Sequence, residues 1–142
     1  MSKIYSINIK LMAESDKDNI AKVLARGAQK GFKYFDNIGE ETYDNMLIID
    51  AQKAAQKLVE SYQTKPELGP CVFTHMPDPD DPAGFDDVRL WFDKANDGWL
   101  EFDMGFGAPK KKTYYIDFDY YLRICLDLVQ DFQILEIHAT ME

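Results

Sequence analysis

Residues 4–11 alternate strictly, with Tyr5, Ile7, Ile9 and Leu11 on one side of an extended chain and Ser6, Asn8 and Lys10 on the other. Period two over this length predicts a half-buried strand. The period then changes. Ile20, Val23, Leu24, Gly27 and Ala28 recur at helical spacing. Ser15 and Asp18 resemble a capping box ahead of them, and Gly31 is placed to stop the helix. Residues 32–37 fit a short strand or a loop equally. A second helix is expected over about 42–62, buried through Leu47, Ile48, Ala51, Ala55, Leu58, Val59 and Tyr62. Thr42 or Asp44 would cap it, and Pro66 lies beyond its end.

A strand follows over 71–76. Residues 77–84 read PDPDDPAG, whose three prolines and one glycine predict a stiff, extended loop between strands. Residues 88–104 carry the clearest hairpin pattern: Val88, Leu90 and Phe92 alternate on one arm, and Leu100, Phe102 and Met104 on the other. A two-residue turn would place these two apolar rows on opposite faces. A three-residue loop, Asn96-Asp97-Gly98, pairs Phe92 with Phe102 and Leu90 with Met104, and puts Gly98 at the left-handed position such loops favour. That register sets Asp93 opposite Glu101 and Trp91 opposite Asp103, two like charges face to face across a ladder.

Residues 105–109 break the sheet. A third helix is expected over about 119–132, with Leu122, Cys125, Leu126, Val129 and Phe132 buried, and residues 114–118 suit a short strand before it. A last strand spans 134–140, with Leu135, Ile137 and Ala139 inward and Glu136 and His138 outward. The order β-α-α-β-β-β-α-β describes one α+β domain over 1–142. It implies a mostly antiparallel sheet of four to five strands with about three helices packed on one face.

Composition agrees: 142 residues, 46% hydrophobic and 13% aromatic, suit a packed core. Charge adds something new. The span from Asp78 to Asp103 holds nine acidic residues and only Arg89 and Lys94 as bases, so it carries seven of the chain's nine net negative charges. Both tryptophans, Trp91 and Trp99, lie in it. An acidic surface with embedded aromatics suits capture of a basic partner. The same charge disfavours nucleic acid and anionic membranes. Lys110, Lys111 and Lys112 read as a solvated flank that shields the aromatic run behind them. With no apolar run long enough to span a bilayer and no secretory h-region, the chain reads as cytoplasmic.

Catalytic patterns are weak. Glu101 and Asp103 share a strand face, but Asp103 stands where a common nuclease arrangement places Lys. Residues 93–104 resemble a calcium loop, yet Met104 stands at the position of the bidentate Glu. Cys71 and His75 are about 13 Å apart along one strand, too far for a nucleophile–base pair. Asp117-Phe118-Asp119 is better explained as a helix start than as a D-x-D motif. The sequence therefore points to no catalytic residue, cofactor or metal site.

The expected function is a non-enzymatic protein-binding domain that captures a basic partner through Asp86, Asp87, Arg89, Trp91, Asp93, Trp99, Glu101 and Asp103. In size and acidity the chain resembles small toxin-immunity proteins and phage-type inhibitors, a likeness of composition that no motif carries. Two alternatives stand beside it: a homo-oligomeric scaffold or small-ligand domain, with a homodimer among its forms, and a metal-dependent hydrolase that uses the clustered carboxylates.

Overall fold

A computed structural model of the chain describes residues 5–38, 47–64, 71–107 and 109–141. In chain order the elements are β1 (Tyr5–Glu14), α1 (Lys17–Gln29), β2 (Lys33–Phe35), β3 (Ile48–Ile49), α2 (Ala51–Thr64), β4 (Cys71–Asp78), β5 (Asp81–Lys94), β6 (Trp99–Phe106), β7 (Lys111–Lys112), β8 (Tyr115–Ile116), α3 (Phe118–Leu128) and β9 (Ile134–Met141). Seven strands form one sheet in the order β3-β2-β4-β5-β6-β1-β9, while β7 and β8 make a separate small hairpin. All pairings are antiparallel.

The α+β class and the three helices agree with the sequence reading; the expected four to five strands become seven in the main sheet. The difference lies in β2 and β3, three and two residues long, too short to show a period. The second helix is also shorter than expected. Leu47 and Ile48 are exposed rather than buried, because the chain there is extended and pairs with β2. Asp50 starts the helix, its carboxylate accepting the Lys53 N–H at 2.8 Å. The expected caps Thr42 and Asp44 lie outside the described residues.

The other helix starts follow aspartates. Asp16, not Ser15, caps α1 by accepting the Asn19 N–H at 2.8 Å. Asp117 caps α3 by accepting from the Tyr120 N–H at 3.2 Å. A carboxylate there satisfies an orphan N–H and meets the positive end of the helix dipole. The third helix ends at Leu128, so Phe132 packs from the following turn.

PDPDDPAG is not an open loop. It closes the β4–β5 hairpin, with Pro77 opposite Phe85 and Asp78 opposite Asp81 across a bulge. Its prolines are compatible with strands because this hairpin outreaches its neighbours: β6 pairs with β5 only from Val88 on, and β2 with β4 only at Thr74 and His75. No adjacent strand requires the missing N–H.

Ile9, Leu11, Val72, Leu90, Leu100, Phe102 and Met104 are fully enclosed on one face of the sheet. Val23 and Leu24 from α1, Ala54 and Ala55 from α2, and Cys125 from α3 join them in a single core. All three helices therefore cover that face. The opposite face carries no helix among the described residues.

Candidate functional site

The β5–β6 hairpin has the three-residue loop its pattern implies. Ala95 N–H donates to the Trp99 carbonyl at 2.7 Å, Gly98 N–H donates to the Ala95 carbonyl at 2.8 Å, and Gly98 has φ +93°. Leu90 faces Met104, Phe92 faces Phe102, Trp91 faces Asp103 and Asp93 faces Glu101. Since Leu90, Phe92, Phe102 and Met104 are core, strand alternation turns Asp87, Arg89, Trp91, Asp93, Trp99, Glu101 and Asp103 to the helix-free face.

Asp86 does not belong with them. It lies opposite Met76, on the helix side, near Tyr120 and Lys110. Partial burial there raises its carboxyl above the usual range, with the Lys110 charge opposing. Lys110 is correspondingly no solvated flank. Its ammonium pairs with Asp78 at 2.8 Å and approaches Asp80 at 3.7 Å and the Tyr120 ring at 5.6 Å. Other acids of the span also have partners: Asp97 pairs with Lys10, and Asp87 with His75 at 3.0 Å.

Three acids remain. Asp93, Glu101 and Asp103 form no ion pair with another described residue. Desolvation pushes Asp103 up to about 6, with the charges of Asp93 and Glu101 adding to the shift. One neutral donor offsets it in part, the Asn8 amide on the adjacent strand, 2.9 Å from the Asp103 carboxylate. Burial and the Glu101 charge raise Asp93 as well. The face thus concentrates negative charge that no ion pair among the described residues neutralises; Lys10, opposite Glu101 on β1, attracts it from a distance while its ammonium pairs with Asp97. Arg89 is not recruited; its guanidinium lies over the Phe73 ring, 4.7 Å from the centroid.

Trp91 is half-buried and lies across Gly105 of β6. A Cβ at Gly105 would come within 2.6 Å of the indole, so the glycine allows the ring to lie flat on the sheet. Gly105→Ala is expected to lift the indole and change Trp fluorescence and near-ultraviolet circular dichroism, with a stability loss of about 1–2 kcal/mol. An unchanged Trp signal in a folded variant would show that the ring does not rest there. Trp99 lies at the hairpin end and is also half-buried.

Beside the carboxylates lies an aromatic zone that the sequence reading did not assemble. His75 stacks on Phe85, with centroids 3.7 Å apart and planes at 11°, and meets Phe35 edge-on at 4.5 Å. Strand parity sets Phe73 on the same face as Cys71 and His75. Phe35 and Phe85 were hidden because one sits in a three-residue strand and the other follows the proline-rich turn. Cys71, facing Trp91 across the ladder, has its thiol raised by burial, with Arg89 opposing, and is not poised as a nucleophile.

Among the described residues no three His, Cys, Asp or Glu side chains are grouped as metal ligands, and no helix is long and apolar enough to cross a membrane. Comparison with protein-family models, with curated proteins and with solved structures yields no match.

Proposed function

We propose that the helix-free face of the sheet binds a basic protein surface, without catalysis, through Asp93, Glu101 and Asp103 as charge partners and Trp91 as apolar anchor. One observation supports this reading: three adjacent carboxyls, two of them held above their ordinary range by burial, form no ion pair among the described residues, and the one cation opposite them, Lys10, is engaged by Asp97. Within the fold such a group costs stability. A lysine or arginine from outside would neutralise it, and desolvation on docking would strengthen the pairing. The flat indole adjoining the acids provides rigid contact area with little entropy to lose. Trp99 and Asp87 extend the surface, and Arg89 is held aside on Phe73.

Titrating the protein with lysine- and arginine-rich peptides, read by Trp fluorescence, tests this. Binding should weaken at least about tenfold between low and moderate salt, as screening predicts. It should be lost in the double variant Asp93→Lys, Glu101→Lys while the circular dichroism spectrum is kept. It should also weaken as the pH falls through about 6, because Asp103 then gains a proton and loses the charge that a cation recognises. Absence of binding, or binding indifferent to both substitutions, would refute the reading.

A further inference from the structure

Among the described strands, β9 is the edge of the sheet and eight residues long. One side pairs with β1 in regular register from Tyr5 opposite Met141 to Lys10 opposite Glu136; a bulge at Leu135 then precedes Leu11 opposite Ile134, so the regular edge is Glu136–Met141. On the other side no strand follows it among the described residues. At the far edge, β3 offers only two residues. Proteins usually blunt a long edge with lysine, proline or an inward-pointing charge, because its unpaired N–H and C=O groups template another strand. Ile134–Met141 contains neither lysine nor proline. Its helix-side row is open as well: Ile137 is 42% and Met141 56% exposed, although the β1 residue opposite Ile137, Ile9, is fully enclosed. The helices stop one strand short of this edge.

We infer that β9 pairs antiparallel with β9 of a second copy of the chain, in the register centred on Ile137. The occupant follows from self-complementarity. A two-fold axis normal to the sheet passes midway between one residue and its own copy and keeps both helix layers on the same side. Centred on Ile137, it stacks this exposed side chain on its own copy. On the other face it sets Glu136 against His138 of the second copy, twice. Moving the centre to Glu136 would oppose two carboxylates, and moving it to His138 would oppose two imidazoles and leave Glu136 facing Thr140. Only the Ile137 centre joins an apolar pair to two acid–imidazole pairs. Glu136 and His138 already approach each other within the strand at 3.3 Å, so the four groups would close a ring across the seam. β1 separates β9 from β6, and the acidic plate on β5 and β6 stays open in such a dimer.

Light scattering coupled to gel filtration, at loading concentrations up to roughly 0.2 mM to capture a micromolar dimer, is the test. The wild-type chain should pass from one to two chain masses as concentration rises. Ile137→Lys and His138→Glu, both at exposed positions, should remain monomeric with an unchanged circular dichroism spectrum. His138→Lys, which sets an ammonium against Glu136 of the second copy, should dimerise. In a Cys71→Ser background, oxidised Ile137→Cys should cross-link across the axis and Glu136→Cys should not. A wild-type chain that stays monomeric throughout, a dimer that survives both disruptive substitutions, or cross-linking at Glu136→Cys in preference to Ile137→Cys would overturn the inference.

Discussion

Gly27→Ala is expected to destabilise the protein by about 2–3 kcal/mol, although alanine is the better helix former by about 1 kcal/mol. Packing outweighs propensity here. Gly27 lies in the last turn of α1 and is buried against Phe32 and Tyr34. A Cβ at that position would collide with the Tyr34 hydroxyl oxygen and come within 2.9 Å of the Phe32 ring. Neither neighbour can give way easily. Tyr34 is 1% exposed, and its hydroxyl donates to the Leu24 carbonyl at 2.6 Å, so moving the ring breaks a buried hydrogen bond. For a domain of this length the loss corresponds to a drop in melting temperature of roughly 6–10 °C. A second variant makes the argument specific. Tyr34→Phe removes the hydroxyl at a cost of about 1 kcal/mol. In that background the further cost of Gly27→Ala should fall by about half, because only the Phe32 contact remains. Additive costs in urea titrations would show that the two side chains do not compete for the same space.

The second large effect has the opposite sign. Asp103→Asn is expected to stabilise the protein at pH 7–8 by on the order of 2 kcal/mol while weakening capture of a basic partner. In the folded chain Asp103 holds its proton to about pH 6, while an unfolded aspartate titrates near 3.9. The folded state therefore binds more protons between these values, and stability falls as pH rises from about 4 through 6. Above that window the full cost of the buried charge is present. An amide removes it and keeps the Asn8 hydrogen bond, since its carbonyl still accepts. The gain should shrink to about a third by pH 4.5 and vanish below about pH 3.9, where the carboxyl is protonated in both states. Chemical denaturation at pH 4.5 and 7.5 checks the decline. Equal stabilisation at the two values would mean that Asp103 is well solvated, and would remove the electrostatic basis for a docking face.

The two predictions concern different parts of the molecule, and the sequence announced them unequally. The carboxylate plate was visible from a short-range rule. Alternation on both arms of the β5–β6 hairpin and a glycine at the one loop position requiring positive φ define the register. The register alone places Asp93, Glu101, Asp103 and Trp91 together. Gly27 offered no comparable sign. Its meaning depends on Tyr34 folding back from β2 onto α1, in a strand too short to be recognised by periodicity.

Local patterning thus determined the α+β class, the three helices, the helix start at residues 117–119, the buried rows of β1, β5 and β6, and the opposition of like charges at the hairpin. These depend on neighbours two to four residues apart, where backbone geometry dictates side-chain direction. Tertiary structure decided which charges were already matched. Lys110 reaches Asp78 across 32 positions, and Lys10 reaches Asp97 from a strand at the other end of the chain. Such partners are set by strand order, which periodicity does not encode. The same order set Lys10 opposite Glu101 but gave its ammonium to Asp97, so that Asp93, Glu101 and Asp103 form no ion pair among the described residues, and turned Asp86 to the helix side. It also placed β9 at the sheet's rim with its apolar row bare. Coulombic and packing partners act through space, and only the assembled sheet brings those distances into being.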